Sequence, residues 1–152
     1  MPQNLCIQEN ICVCEEAQYR QMGASFTVPR SKSSNATLQA KAPTIVECHT
    51  KPQWTARFEA SKETNKLLVI DFTATWCGPC RHMEPTIKEF AARFVDVEFV
   101  KIDVDELTDV AREYGVEAMP TFILIKNGKV IDKVVGARKE DLQKKIEKHS
   151  KY

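Results

Sequence analysis

The 152-residue sequence predicts an α/β fold, with a central mixed five-stranded sheet flanked by four helices. Three observations lead there. From Thr44 onward, hydrophobic runs alternate with amphipathic helical patterns in the order β-α-β-α-β-α-β-β-α, the signature of a parallel layer. The run Leu67-Leu68-Val69-Ile70 lacks polar alternation, so its strand is expected to be covered on both faces, like a central parallel strand. Asn127-Gly128 separates two later strand-like runs, a two-residue hairpin signal that adds an antiparallel edge.

Each element follows from local pattern. Thr44 to Glu47 reads as a short strand. Residues 52 to 64 read as a helix, with Trp54 and Phe58 one turn apart on one face. Lys66 to Thr73 is the buried strand. Gly78 to Phe94 is a helix whose core face carries Ile87, Phe90, Ala91 and Phe94; Pro85 lies inside it, removes one backbone donor and is expected to kink it. Val97 to Val104 is a strand. Glu106 to Tyr114 is a helix packing Leu107, Val110, Ala111 and Tyr114, with Gly115 marking its end. Thr121 to Lys126 and Lys129 to Val135 form the hairpin. Lys139 to His149 closes the chain, with Leu142 and Ile146 inward.

Residues 1 to 43 differ in character. They show little periodicity and much Ser, Thr, Gln and Asn, and they are expected to be a flexible extension to a domain spanning 44 to 152. Glu9, Glu15 and Glu16, with no apolar core, do not fit a secretory signal. A composition of 43% hydrophobic and 28% charged residues suits a globular domain, and a net charge of +1 offers no bulk attraction to nucleic acid or a membrane. Apolar runs such as Leu67 to Ile70 are far too short to span a bilayer. Six cysteines without a secretion signal imply a reducing compartment, where such residues are catalytic, metal-bound or inert.

The stretch "TATWCGPCRHMEP", Thr73 to Pro85, holds the chemistry. Cys77 falls where the buried strand turns into a helix. Unpaired amide N–H groups and the positive end of the helix dipole meet there, which favours a thiolate. Cys80 lies one turn further in, within reach but more shielded. Gly78 allows a close turn, and Pro79 fixes φ early in the helix where no backbone donor is lost. A CxxC spacing also serves zinc, but a structural zinc takes four ligands; no second CxxC or HxxxH lies nearby, and His82 offers a third ligand at most. A CxxC beside a βαβ pattern favours a reversible redox pair.

Three further residues carry alternatives. Asp71 interrupts the apolar strand six residues before Cys77. If buried, its pKa rises and it suits the proton of Cys80; the plain alternative is a strand-end aspartate facing water. Lys101 in Val100-Lys101-Ile102 is either the counter-charge beside Asp71 or an edge lysine facing solvent. Pro120 in "AMPTF" begins a strand. A cis bond would expose Met119 backbone groups for an extended substrate, whereas spacing alone favours a trans loop proline.

With these residues together, the chain resembles thioredoxin. "WCGPC", the aspartate six residues ahead of it, "AMPTF" and the "VVG" after the hairpin carry the resemblance across Thr44 to Tyr152. "VIDFTATWCGPCRHMEP", "VEFVKIDVDEL" and "VVGARKEDLQKKIEKH" are similar to the plant h-type branch. The resemblance implies a thioredoxin fold and a protein-disulfide reductase. Cys77 is then the nucleophile, Cys80 the resolving thiol, Asp71 the buried proton acceptor and Lys101 its neighbour. Pro120 is then cis, against the spacing. Trp76, Gly78, Pro79, Met119, Pro120, Gly136 and Ala137 then line the substrate surface. The resemblance also implies no bound cofactor, no metal, electrons from NADPH through a thioredoxin reductase or else from glutathione and a glutaredoxin, disulfide-containing protein targets, and a cytoplasmic setting.

Departures from the family pattern are confined to the extension and one thiol. Cys6, Cys12 and Cys14 lie outside the core motif, as resolving thiols, glutathione acceptors or bystanders. Cys48 in "VECHTKPQW" is a dimerisation thiol or a small buried apolar residue. Met22 to Thr27 fits an acylation pattern that works only if translation starts at Met22 and exposes Gly23, which would bring the chain to a membrane. Residues 23 to 43, with basic but no acidic side chains, weakly resemble a transit peptide. Isomerases and oxidases of this fold usually carry histidine before the second cysteine; Pro79 sits there instead and favours a reductant. A glutaredoxin-like CPYC motif is absent. The non-enzymatic alternative is a binding module using the Trp76–Pro120 surface.

Overall fold

The computed structural model describes residues 6–8, 10–13 and 44–151. In chain order its elements are β1 (Cys6–Gln8), β2 (Ile11–Val13), β3 (Ile45–Cys48), α1 (Lys51–Glu63), β4 (Leu67–Thr73), α2 (Gly78–Arg93), β5 (Val97–Asp103), α3 (Thr108–Glu113), β6 (Ala118–Met119), β7 (Thr121–Lys126), β8 (Lys129–Val135) and α4 (Lys139–Ser150). The main sheet runs β3-β5-β4-β7-β8. β3, β5 and β4 are parallel, β7 adds antiparallel to β4, and β8 adds antiparallel to β7. This is the expected mixed five-stranded sheet with four flanking helices.

β4 is central because all seven of its residues are buried. Its alternation is hidden in the sequence because both faces meet helices. Leu68, Ile70 and Phe72 join a core with Trp54 of α1 and Val110 and Ala111 of α3. Leu67 and Val69 join a second core with Met83, Ile87 and Phe90 of α2 and Leu142 and Ile146 of α4. Trp54 ties α1 to α3, with its ring 5.8 Å from that of Tyr114. Asp71 shares the parity of Leu67 and Val69, so it points toward the α2 side.

Local chemistry sets the boundaries. Gln53 Oε1 accepts hydrogen bonds from the N–H groups of His49 and Thr50, at 2.9 and 3.2 Å, and opens α1. α2 runs from Gly78 to Arg93 with Pro85 inside it. α3 is two residues shorter at its start than the sequence pattern suggests, because Leu107 has non-helical angles (φ −117°, ψ 55°) and Thr108 Oγ1 donates to Val104 O at 3.1 Å. Asn127 and Gly128 both have positive φ, 52° and 72°, as a tight hairpin of this kind requires.

A second, three-stranded sheet, β1-β2-β6, was not legible in the sequence. The extension was read as flexible, yet residues 6–8 and 11–13 within it form an antiparallel pair, and β2 pairs in turn with β6. Cys14, the Met22–Thr27 acylation pattern with Gly23, and the basic stretch 23–43 lie outside the described residues. No helix among the described residues is long and apolar enough to cross a membrane.

Candidate active site at a strand-to-helix corner

The carboxyl end of β4 is pinned to its neighbour by Val104 N–H donating to Thr73 O at 2.9 Å. The chain then turns, with Cys77 N–H donating to Ala74 O at 3.2 Å, and enters α2 with Cys77 as its N-cap. The Cys77 backbone is extended (φ −86°, ψ 107°), so its side chain swings over the first helical turn. Its Sγ accepts the Cys80 N–H at 3.2 Å. One orphan amide of the helix end is thereby directed at sulfur, the arrangement that stabilises a thiolate when the pair is reduced. Cys77 and Cys80 are joined in a disulfide, with Cα atoms 5.3 Å apart. Among the described residues, no group of three or more His, Cys, Asp or Glu is placed to hold a metal ion.

Two details differ from expectation. Cys80 was expected to be the more shielded sulfur, but Cys77 is 0% exposed and Cys80 4%. Cys77 belongs to the same buried cluster as Cys12 of β2 and Met119 of β6. Gly78 was expected to allow a close turn, yet its φ is not positive, it is exposed, and a Cβ there would meet nothing within 4 Å. Pro79 is at the start of the helix, as expected, and is buried.

Asp71 is buried, at 8% exposure, which rules out the solvent-facing alternative. Its Oδ1 is the buried side-chain oxygen without a hydrogen-bond partner among the described residues. Loss of hydration pushes its pKa up to about 7; the Lys101 charge opposes this and the Glu84 charge adds to it. Lys101 pairs in register with Asp71 across β4 and β5. Both sequence alternatives for Lys101 hold in part: it neighbours Asp71, but its half-buried ammonium bonds Glu84 at 3.1 Å and lies 3.6 Å from Glu47. Burial pulls the Lys101 pKa down, but the Glu84 hydrogen bond and the charges of Glu84, Glu47 and Asp71 outweigh it and the net shift is upward. A cavity of ≈ 380 Å³ opens beside this cluster, lined in part by Glu47, Thr73, Glu84 and Lys101. The Lys101–Glu84 pair lines it, while Asp71 is not among the lining residues.

The Met119–Pro120 bond is cis, as the resemblance implies and against the spacing-based trans reading. Pro120 O accepts the Gly136 N–H at 2.7 Å, which draws the start of β7 and the end of β8 together. Gly136 has φ +90°, and a Cβ there would lie 2.9 Å from Ile11 Cγ1. Ala137 follows, and its N–H donates to Asn10 O at 3.1 Å. Trp76 is half-buried against the Cys77 cluster, with Nε1 donating to Asp105 Oδ2 at 2.9 Å. Sequence reasoning missed Glu84, Glu47 and Asp105. Glu84 was findable: it lies two helical turns past Cys77 and so shares that residue's face. Glu47 and Asp105 are partners only through β3–β5 pairing and the loop after β5, and no local pattern marks them.

Comparison with known proteins agrees with this geometry. The thioredoxin family model matches residues 45–148. Thioredoxin H4 of Arabidopsis thaliana is 54% identical over 114 residues, covering 74% of this chain and 96% of that protein. The crystal structure of the thioredoxin NaTrxh from Nicotiana alata superposes with a TM-score of 0.70 at 51% identity, covering 77% of this chain and all of that one. The wild-type thioredoxin h of poplar gives a TM-score of 0.68 at 33% identity, covering 71% and 97%.

Proposed function

The chain belongs to the thioredoxin family, and on that premise we propose how its residues divide the work of a thiol–disulfide oxidoreductase that reduces disulfides in target proteins. The observation that carries the assignment is the Cys77–Cys80 disulfide at the N-cap of α2, with the Cys80 N–H on Cys77 Sγ. In the reduced protein the Cys77 thiolate attacks one sulfur of a target disulfide. That S–S bond breaks, the second target sulfur leaves as a thiolate, and a mixed disulfide forms. Cys80 gives up its proton and attacks Cys77 Sγ. The Cys77–Cys80 bond forms and the remaining target thiolate departs, so two electrons have passed from the dithiol to the target.

Asp71 is the acceptor of the Cys80 proton. A carboxyl with pKa about 7 is matched to that task near neutral pH. Lys101 and Glu84 act through Asp71, since their charges set its pKa in opposite directions. Trp76, Gly78, Pro79, Met119, Pro120, Gly136 and Ala137 form the surface a target meets, with Met119 backbone groups pairing with an extended segment. Electrons come from NADPH through a flavoprotein thioredoxin reductase, with glutathione and a glutaredoxin as the alternative donor. No cofactor resides in the domain, residues 44–152 are its catalytic unit, and its setting is cytoplasmic unless a start at Met22 allows acylation of Gly23.

An insulin-reduction assay with NADPH and a thioredoxin reductase tests this. The native chain is expected to be active and Cys77→Ser to retain almost nothing. Cys80→Ser is expected to accumulate a mixed disulfide at Cys77, visible by mass spectrometry. Equal turnover by Cys77→Ser and the native chain would sink the assignment.

A further inference from the structure

We propose that residues 6–13 are a built-in pseudosubstrate: the chain's own hairpin occupies, as an added strand, the surface on which an extended target segment must pair to reach Cys77. The proposal rests on the reductase assignment above and concerns the same surface.

Four observations converge on it. β2 pairs antiparallel with β6, setting Cys12 opposite Met119 and Val13 opposite Ala118. Strand addition to a short exposed edge is how folded domains recognise extended peptides, and here the added strand comes from the same chain. Ile11 lies over Gly136, so close that a Cβ on the glycine would come within 2.9 Å of its Cγ1. The Asn10 carbonyl takes the Ala137 N–H at 3.1 Å, a main-chain bond of the kind a bound peptide would make. Cys12 is fully buried in the cluster that contains Met119 and Cys77, and Cys77 is itself fully covered. A nucleophile with no exposed surface cannot meet a protein disulfide until something moves, and β2, whose Cys12 shares its cluster, belongs to the small sheet rather than the main one.

The physical consequences are specific. The hairpin belongs to the same chain as the domain, so it competes intramolecularly with any target. A target then binds only the fraction of molecules with the hairpin displaced, and its apparent affinity falls by that fraction. The hairpin also describes the target that fits: an extended segment with a large aliphatic side chain immediately before its cysteine, as in Ile11-Cys12, and a free carbonyl one residue earlier.

The full chain with Ile11→Asp tests the proposal. A carboxylate pressed onto Gly136 would be desolvated without a partner, so the hairpin should leave. With dithiothreitol as electron donor, the KM for insulin is expected to fall about tenfold at unchanged kcat, the factor for a competitor that is bound about nine-tenths of the time. Carbamidomethylation of Cys77 in the reduced protein, followed by peptide mapping, should quicken by a similar factor. A synthetic peptide of residues 6–13 with both cysteines as serine should restore the native KM to the variant competitively. Unchanged KM and Cys77 labelling in an active variant, or a peptide that does not compete, would overturn the proposal and leave the reductase assignment intact. Absence of insulin reduction from both proteins would remove the assignment and the pseudosubstrate together.

Discussion

Replacing Asp71 with Asn should stabilise the protein, by an amount that depends on pH. The carboxyl is 8% exposed, its Oδ1 lacks a partner, and burial raises its pKa from 3.8 to about 7. Below pH about 4 it is protonated whether the chain is folded or unfolded, and Asp and Asn are near-equivalent. Between about 4 and 7 the folded state holds a proton that the unfolded state releases, so stability falls as pH rises. Above about 7 the full deficit is present. A difference of about 3 pKa units at 1.36 kcal/mol each gives about 4 kcal/mol as a ceiling. For a domain of about 100 residues that corresponds to roughly 15 °C in Tm, or about 2 M in urea midpoint. Urea unfolding of the oxidised native and Asp71→Asn proteins at pH 4 and pH 8.5 measures it. The midpoints should coincide at pH 4 and separate widely at pH 8.5. Parallel profiles, offset equally at both pH values, would refute the burial argument. The same variant should reduce insulin more slowly near pH 7, because the proposed proton acceptor is gone: a gain in stability bought with function.

The charges around Asp71 should move its titration in opposite directions. Lys101→Met removes the opposing positive charge and should raise the Asp71 pKa, whereas Glu84→Gln removes a nearby negative charge and should lower it; carboxyl-carbon NMR titration of both variants checks the signs. Phe90, a fully buried side chain of α2 with its ring 5.9 Å from that of Phe94, should cost about 3–5 kcal/mol on truncation to Ala, read by urea unfolding of the oxidised protein.

The sequence made the main sheet legible wherever burial pattern and turn chemistry coincide. β7 and β8 fall at the expected residues, because Asn127-Gly128 fixes the hairpin and its register. β4 was legible from its unbroken apolar run, and Cys77 from its place at the end of that run. The burial of Asp71 was legible only as one of two alternatives, since a single polar residue in a strand looks alike whether a helix covers it or water does. α2 covers it, and that is a tertiary fact. β6 was missed because two residues carry no periodicity. β1 and β2 were missed for a related reason: three-residue strands within a polar extension are too short to carry a periodicity, and β2 pairs with an edge provided from more than a hundred positions later in the chain. Glu47 as a partner of Lys101 depends likewise on the β3–β5 register.

Cys48 ends β3, an outer strand of the main sheet, opposite Ile102 of β5. It is 2% exposed, and burial raises its thiol pKa against the pull of Arg57. A sulfur kept both covered and protonated is nearly inert to alkylating reagents while the sheet margin stays closed. Its labelling therefore keeps time: each modification of Cys48 records one opening of that margin, and its rate gauges how often the β3 edge of the sheet breathes.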